Sequence, residues 1–418
     1  KKNGLVIFLE PCHSAGMKSK KRKPTRSKIT VLQQVCNLIP AHLVKKLSRQ
    51  TGAETKARTF SSWSHVVSMI YAQISRSIGL NDVCDSLQIH SGPLSQIRGA
   101  KPPSRNGLSH ANKNRPSELA EKLFWGVLEN LQHNFPQFAH GNLPKGLHRF
   151  KKSIHIIDST TIELVANCMD WAKHRRRKAA AKTHMRLDME SLLPRFAIVD
   201  TAKHNDNLRA RELCAGLKEG EIIIFDRAYN DFDHLLDLNN RGVQWVGRWK
   251  KGTACEVIDT VETTGNILSD ELVVLNNEMV VRRVSAWVEV DGKWREMKFI
   301  TNNREWSAQT ICDLYKARWQ IEVFFKQIKQ TLKLADFLGH SANAVRWQVW
   351  TALLVYVLLR FLSRMSSWSH SFTRVFTVIR AGLWSRIDLL GFLQSLCGTA
   401  GGGFRNLARP EQAYFPGF

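Results

Sequence analysis

The sequence predicts an α/β protein whose core is interrupted by a β-rich segment and flanked by helical regions. Three patterns predict this arrangement. Buried strands and helices alternate from residue 154 to 249, apolar and polar residues alternate from 250 to 303, and apolar residues recur at helical spacing on either side of these segments. At 418 residues the chain is long enough for two or three domains.

The composition points to a polyanionic partner. The chain has 61 Lys and Arg against 36 Asp and Glu, a formal charge of +25, which exceeds what solubility requires. Nucleic acid is favoured over a membrane surface, because no basic amphipathic anchor or lipidation motif accompanies the charge. The eight cysteines include no C-x2-C pair, which argues against a zinc ribbon or a disulfide framework and fits a reducing cytosol.

Residues 1–28 are predicted to be a disordered basic arm. Seven Lys or Arg lie between Met17 and Lys28, and no apolar residue follows Met17 in this run. Contact with phosphate and a merely solvated tail are both open interpretations of this arm. Because residue 1 is not Met, Met17 is also a candidate start of translation.

Residues 29–115 are predicted to be an all-α N-terminal domain followed by a linker. Ser61 and Ser62 offer N-caps to one of its helices. A DNA-binding role and a purely structural helical cap both fit this module. Residues 91–115 are rich in Pro, Gly, Ser and Asn without periodicity, so we expect a linker with a boundary near residue 100. The segments with helical periodicity are 31–39, 63–74 and 80–87.

Residues 116–249 are predicted to form the first part of an α/β core. Two buried strands in this segment end on carboxylates, Asp158 and Asp226. The C-terminal ends of strands are where α/β folds place their active sites. The predicted elements are a helix at 116–135, a strand at 154–160, a hairpin at 182–201, a helix at 208–217, a strand at 221–226, a helix at 231–240 and a strand at 243–249.

Residues 250–305 are predicted to be an antiparallel sheet inserted into this core. Residues 306–418 are then the second part of the core with a helical C-terminus. Within them, the uncharged stretch 349–359 is too short to span a bilayer and predicts a buried core helix.

The segment Leu314–Lys333 predicts a helix with two different faces. Tyr315, Arg318, Glu322 and Lys329 share an arc of roughly 60° on an ideal helix. A carboxylate among cations suits a metal-assisted reaction on a phosphodiester. The alternative is an amphipathic helix with a simple Arg318–Glu322 pair at i, i+4. An apolar band on the adjacent face would anchor the helix, formed by Leu314, Ile321, Phe324, Phe325, Ile328 and Leu332.

Asp158, Asp226 and Glu322 together form the smallest set that binds two divalent ions about 3.5–4 Å apart. Magnesium is the natural ion for ligands that are all oxygen. Each aspartate alone is a weak signal, since an Asp after a strand is more often a turn or N-cap residue.

A run of cations follows the first of these strands. Arg175, Arg176 and Arg177 in the KHRRRK run at 173–178 are expected to face phosphate, with a solvated loop as the alternative.

These motifs resemble those of one enzyme family. Tyr315, Arg318, Glu322 and Lys329 reproduce the Y-x2-R-x3-E-x6-K signature of the DDE transposases of the insertion sequence 4 family. DRAYNDF at 226–232 looks like the second-aspartate motif of that family, and IIDST around Asp158 resembles the first. Residues 28–90 are similar to the N-terminal helical domain of one branch, so the resemblance covers residues 28–365.

The resemblance implies an RNase H-like catalytic core with Asp158, Asp226 and Glu322 as a triad that holds two Mg²⁺ ions, with Mn²⁺ as a substitute. It implies phosphate contacts for Tyr315, Arg318 and Lys329. Residues 250–305 look like the insertion domain, which in relatives helps to hold the transposon end.

Some relatives stack a Trp of the insertion domain on a flipped base. Trp287 and Trp294 are the candidates here, with Trp249 as a weaker one. A cross-strand aromatic pair that fills the small sheet is the favoured alternative for the first two.

The predicted function is therefore a bacterial transposase that binds terminal inverted repeats, cleaves DNA and joins the ends to a target. Double-stranded DNA and further copies of the chain are the expected partners, no membrane is expected, and the expected location is the cytoplasm, at the nucleoid. A catalytically silent DNA-binding descendant, acting as a repressor or architectural factor, is the main alternative. A general nuclease of the same fold is the third interpretation.

Overall fold

The computed structural model describes residues 26–54, 59–141, 143–164, 173–175, 178–201, 206–275, 278–290, 292–331 and 338–395. A mixed ten-stranded sheet runs through the middle of the chain, and helices from both ends of the sequence pack together around one long apolar helix. The predicted α/β organisation with helical flanks is confirmed.

The N-terminal region is helical, as predicted. Hydroxyl groups begin three of its helices, because the side chains of Thr30, Ser61 and Ser104 accept hydrogen bonds from backbone N–H groups three residues later. The helices are α1 (Val31–Asn37), α2 (Leu43–Gln50), α3 (Ser62–Ser75), α4 (Leu80–Ile89), α5 (Ser91–Ser95), α6 (Arg105–Asn114), α7 (Glu118–Asn134) and α8 (Pro136–Ala139).

The prediction of a linker at residues 91–115 was wrong. This segment contains α5 and α6, and Leu94, Ile97 and Leu108 within it are fully buried. Gly92 and Pro93 misled the prediction because they lie in the first turn of α5, where a missing backbone N–H breaks no helical hydrogen bond. The chain therefore continues as packed helices across residue 100.

The first part of the sheet combines parallel and antiparallel strands. Strand β1 (Ile154–Leu164) pairs in parallel with β5 (Ile222–Ile224), which pairs in parallel with β6 (Gln244–Arg248). On its other side β1 pairs antiparallel with β3, and β3 forms the predicted hairpin with β4. The remaining elements of this part are β2 (Lys173–Arg175), β3 (Lys178–Asp188), β4 (Pro194–Thr201), α9 (Asp206–Cys214) and α10 (Phe232–Asn240).

The predicted antiparallel insertion is present and continues the same sheet. Its four strands follow β6 in the spatial order β10, β9, β8, β7. The connection is made by the last residues of β10, where Phe299 pairs with Arg248 and Thr301 with Val246. The strands are β7 (Cys255–Val261), β8 (Ile267–Leu275), β9 (Val280–Val290) and β10 (Lys293–Thr301).

The C-terminal helices supply the hydrophobic centre. The helices are α11 (Ala308–Ala317), α12 (Trp319–Lys326), α13 (Ala342–Met365), α14 (Phe372–Ala381) and α15 (Leu389–Ser395), with a π-helical turn at Gln327–Thr331. Helix α13 packs against α3, α6, α7 and α14. It is long and apolar enough to cross a membrane, but 89% of its most apolar window is buried inside the protein. The predicted core helix at 349–359 is confirmed.

The N-terminal helices are joined to α13 by a buried polar network. Trp347 Nε1 donates to the carbonyl of Arg115 at 2.8 Å, and Asn343 Nδ2 donates to the carbonyls of Asn112 and Arg115. The His65 ring lies 2.8 Å from Asn112 Oδ1 and packs on the indole of Trp347. Burial lowers the pKa of His65 to about 3, so this ring stays neutral.

Candidate active site

Asp158 and Asp226 occupy matched positions on two neighbouring parallel strands. The paired residues end with Ile156 on β1 and Ile224 on β5, so each aspartate lies two residues beyond the last pair. Residues separated by two positions point to the same face of a sheet, and neighbouring strands lie about 4.8 Å apart. The fold therefore brings the two predicted carboxylates to one place.

The prediction that the first strand ends on Asp158 was wrong. Strand β1 runs on to Leu164, because its antiparallel pairing with β3 continues through Asp158 opposite Met185. Only the shorter partner β5 stops. Asp158 is consequently held in the middle of a strand by a ladder on one side, and its other side is open toward Asp226.

Asp226 lies two residues after the end of β5 and leads into a 3-10 turn at Arg227–Tyr229. Two contacts with β6 hold the chain segment that follows β5. The ring of Phe225 packs over Gly247 on β6, where any Cβ would collide with it. Asn230 Nδ2 donates to the carbonyl of Arg248 at 2.9 Å. The turn that presents Asp226 is thus attached to the neighbouring strand.

The segment predicted as one helix at 314–333 is interrupted. Helix α11 begins earlier, at Ala308, and ends at Ala317; α12 begins at Trp319 and gives way to the π turn at Gln327. Arg318 keeps helical dihedral angles, and short i to i+3 hydrogen bonds run on both sides of it. The helix axis therefore continues from α11 into α12. Lys329 lies in the π turn, so the ideal rotation of 100° per residue no longer predicts its direction. The predicted apolar band is buried at Leu314, Ile321, Phe324, Phe325 and Ile328, and Leu332 lies outside the described residues.

Two side chains of this segment contact all three carboxylates. Arg318 Nη1 lies 2.7 Å from Asp158 Oδ2, and Arg318 Nη2 is in close contact with Glu322 Oε1. The hydroxyl of Tyr315 donates to Asp226 Oδ1 at 3.0 Å. The i, i+4 pair of Arg318 and Glu322 is therefore present, but it is one half of a wider cluster that also includes the strand aspartates.

Burial and mutual charge set the proton affinities in this cluster. Burial raises the pKa of Asp158 to about 6, against the opposing effect of Arg318, and the neighbouring Glu322 and Asp226 raise it further. Burial also raises the pKa of the Tyr315 phenol well above its ordinary value. Burial by itself would lower the pKa of Arg318, but Tyr315 and the carboxylates raise it, so the guanidinium stays charged.

The donor set fits a hard divalent cation, because all three acidic side chains offer oxygen only. In their present positions, no three acidic, His or Cys side chains of the described residues are grouped closely enough to hold one ion. Arg318 instead bridges Asp158 and Glu322 and neutralises part of their charge. An ion bound by both carboxylates would have to displace these contacts.

A family model described as the transposase DDE domain matches residues 149–358, which is half of the chain and contains the whole cluster. The chain belongs to the DDE transposase family. It is thus an enzyme that acts on DNA and depends on a divalent metal, and the resemblance seen in the motifs is confirmed. A second model, for a domain of unknown function (DUF4372), matches residues 27–97 in the helical N-terminal region.

The chain is similar to several transposases. The putative transposase y4zB of Sinorhizobium fredii is 30% identical over 69% of this chain and 79% of its own length. A probable transposase for insertion sequence element IS5377 of Geobacillus stearothermophilus is 28% identical over 61% of this chain and 68% of its own. A piggyBac transposase synaptic complex with hairpin DNA covers 87% of this chain and 83% of its own, with 9% identity and a TM-score of 0.46.

The structure describes some, but not all, of the remaining predicted site residues of the transposase. Lys329 is half-buried in the π turn, three residues after Lys326 at the end of α12. Arg175 lies on the short strand β2. Arg176 and Arg177 lie outside the described residues. Asp188, a further carboxylate of the core, is buried and accepts hydrogen bonds from Ser191, which marks it as a structural group.

Trp287 and Trp294 do not fill the insertion sheet, so the favoured alternative for them was wrong. Their indoles are 43% and 63% exposed. Trp287 lies opposite Glu296 and Trp294 opposite Glu289, so the two rings sit diagonally on one face and are not a direct cross-strand pair. Trp249 lies beneath the guanidinium of Arg283, at 5.1 Å.

Two further residues were not singled out from the sequence. Trp319 follows Arg318 directly in the sequence and is 55% exposed, so it offers an aromatic surface to solvent. An indole on the polar side of an amphipathic helix was the signal for it. Arg282 forms a buried ion pair with Asp270 and donates to the carbonyls of Arg304 and Trp306, just before α11 begins. The alternating pattern of β9 does not predict that Arg282 also donates to the carbonyls before α11.

Proposed function

We propose that this transposase binds the terminal inverted repeats of its own insertion sequence, cleaves the DNA at those ends and transfers them to target DNA. The observation that carries the proposal is the convergence of Asp158, Asp226 and Glu322 on two side chains of the signature segment, Arg318 and Tyr315. Two strands and one helix, far apart in the sequence, meet at this point. A structural ion pair would need only two of these groups.

The same proposal assigns an RNase H-like core to residues 116–249 and 306–418. The adjacent parallel strands β1 and β5, each with a carboxylate two residues beyond the last pair, support it. Residues 250–305 form the insertion, which extends the sheet from β6 outward.

Asp158, Asp226 and Glu322 would hold two Mg²⁺ ions, with Mn²⁺ as a substitute, and these ions supply activation of the attacking oxygen and stabilisation of the leaving oxygen. The ionised forms of the three carboxylates would be the ligands, so cation binding should weaken as pH falls below the Asp158 pKa of about 6. Arg318 then exchanges its carboxylate contacts for phosphate oxygens, to which its planar fork can donate two parallel hydrogen bonds.

Further groups would grip the DNA near the cleaved bond. Tyr315 and Lys329 would supply a hydroxyl and a point charge on the same segment as Arg318, and Arg175, Arg176 and Arg177 would supply further cations. Trp287 and Trp294 are exposed and sit on one face, as a platform for an unstacked base requires. The enzyme would act as a homo-oligomer on paired ends in the bacterial cytoplasm, at the nucleoid.

The test is a Mg²⁺-dependent cleavage and joining assay on duplex DNA that carries the inverted repeats flanking the gene. Asp226→Asn and Glu322→Gln should each reduce cleavage by about 10³-fold or more, or about 4 kcal/mol of transition-state stabilisation. Asp233→Asn and Glu305→Gln, at exposed acids outside the cluster, should cleave like the parent. Equal cleavage by parent and Glu322→Gln would refute the assignment. Binding without cleavage by the parent would favour the silent descendant, and cleavage without joined product would favour the nuclease.

A further inference from the structure

The positive charge of the chain is unevenly distributed. Residues 250–305 contain eight Lys and Arg against ten Asp and Glu, a formal charge of −2, so the remainder of the chain carries +27. Several of the cations in the insertion are also paired internally, since Arg282 binds Asp270 and Arg283 binds Glu271. The insertion is therefore a large segment that is not basic, as are residues 188–249, which contain eight Lys and Arg against eleven Asp and Glu.

The outermost strand of the insertion is unusually open. Strand β7 is last in the spatial order of the sheet and pairs only with β8 among the described strands. Six of its seven residues are exposed, and these include Val257, Ile258 and Val261 at 46%, 52% and 51%. An exposed edge strand with apolar side chains offers both unpaired peptide groups and apolar surface to another chain.

Acidic residues are interspersed with these apolar ones. Glu256 and Asp259 lie on β7 and Glu262 follows it, and none of the three forms an ion pair within the part of the chain that the structure describes. Three carboxylates on a single edge repel phosphate, so this edge is unsuited to DNA. They attract a basic protein surface.

We propose that β7 is a contact surface for a second copy of this chain, which places its basic surface against the acidic and apolar edge. The second copy is the occupant that the charges favour, because its residues outside the insertion carry +27 against the −2 of the insertion. The contact can be made twice in a two-fold arrangement, each insertion on the body of the other copy, so that the assembly closes. This inference rests on the proposed function in that it names the surface by which the oligomer forms.

Sedimentation or light scattering of the full chain over a hundredfold concentration range tests the contact, first alone and then with bound duplex DNA. The parent should show a monomer–dimer equilibrium that weakens as salt is added, because charge attraction is screened. Two triple variants address the two components: Val257→Thr, Ile258→Thr and Val261→Thr keep β-branched side chains while removing apolar surface, and Glu256→Lys, Asp259→Lys and Glu262→Lys reverse the charge.

Each triple variant should raise the dimer dissociation constant at least about 10-fold, equivalent to about 1.4 kcal/mol. A control with the same change in net charge, Glu219→Lys, Asp233→Lys and Glu305→Lys, alters exposed acids outside β7 and should dimerise like the parent. Equal dimerisation of parent and both β7 variants, or a parent that is monomeric with and without DNA, would overturn the proposal. A monomeric parent would mean that the acids only protect a free edge.

This outcome is distinct from failure of the proposed function, which is scored by cleavage and joining. Mass measurements on the Glu322→Gln variant prevent cleavage from altering the DNA during the experiment. A dimer that depends on β7 but cuts no DNA would leave this inference standing and remove the catalytic assignment.

Discussion

The helices around α13 and the insertion sheet flank the carboxylate cluster, and they differ in how their polar and aromatic groups are used. In the helical part, Trp347 and His65 are buried in a hydrogen-bonded network that joins sequence-distant helices. In the insertion, Trp287 and Trp294 are exposed, and the edge strand is open. Aromatic residues of the helical region pack inside the protein, whereas those of the insertion are exposed to solvent.

The two regions therefore differ in the charge and apolar surface that they offer to a partner. The insertion has a formal charge of −2 and exposed apolar groups, whereas the rest of the chain carries +27. Long-range attraction of DNA is thus a property of the residues outside the insertion. The insertion is suited to local contacts, with aromatic faces on β9 and β10 and an acidic edge on β7.

The largest expected effect is a difference in unfolding free energy between variants of a buried and an exposed tryptophan. Trp347→Ala should lower the free energy of unfolding by about 3–5 kcal/mol, because a fully buried ring and its hydrogen bond to Arg115 are lost. Trp294→Ala, at an exposed ring of the insertion, should change it by less than about 0.5 kcal/mol. Urea unfolding curves of the two variants measure both values. Similar losses of unfolding free energy in both variants would contradict the contrast between buried and exposed aromatic residues.

A second prediction compares two arginines on neighbouring positions of β9. Arg282→Met should lower the free energy of unfolding by about 3 kcal/mol, because Asp270 would remain buried without its partner. Arg283→Met should cost about 1 kcal/mol, since its pair with Glu271 is more accessible to water. Chemical denaturation followed by circular dichroism gives both numbers. An equal cost would show that Arg282 has no special part in joining the insertion to α11.

The smallest effect is a pH dependence of the helical part. Since the pKa of His65 is about 3 in the folded protein and 6.5 ordinarily, the unfolded chain binds the proton more tightly between these values. Stability from this group is complete above pH 6.5 and is lost as pH falls toward 3. Between pH 6.5 and 5 the loss should be about 1.5 kcal/mol.

His65→Gln keeps a hydrogen-bonding group toward Asn112 without a proton to gain. The difference in unfolding free energy between pH 6.5 and 5 should therefore shrink by about 1.5 kcal/mol in this variant. An unchanged pH dependence would mean that other buried histidines, such as His155 and His234, whose pKa values burial also lowers, account for it.

The sequence predicts the periodic elements of this chain well, because hydrophobic periodicity and strand ends are local signals. The hairpin of β3 and β4, the core helix α13 and the antiparallel insertion are present where expected. The linker at 91–115 could not be recognised as helical, since Leu94 and Leu108 gain their partners from distant helices. Composition alone carries no information on those tertiary contacts.

The site was predictable in its members more than in its geometry. The order of Asp158, Asp226 and Glu322 and the signature spacing led to residues that the fold brings together. The contact of Arg318 with Asp158 depends on strand β1, which lies 160 residues away in the chain. A helical-wheel projection covers only residues of one helix, so it could not predict the contact with Asp158.

On the proposed mechanism, Asp158, Asp226 and Glu322 bind divalent cations in competition with Arg318. Binding of Mn²⁺ to the full chain, followed by its electron paramagnetic resonance signal, tests it without relying on catalysis. Asp226→Asn and Glu322→Gln should weaken binding at least about 10-fold, Arg318→Gln should strengthen it by freeing Asp158 and Glu322, and Asp233→Asn should leave it unchanged. Mn²⁺ binding that is the same in the parent and in Glu322→Gln would contradict the account.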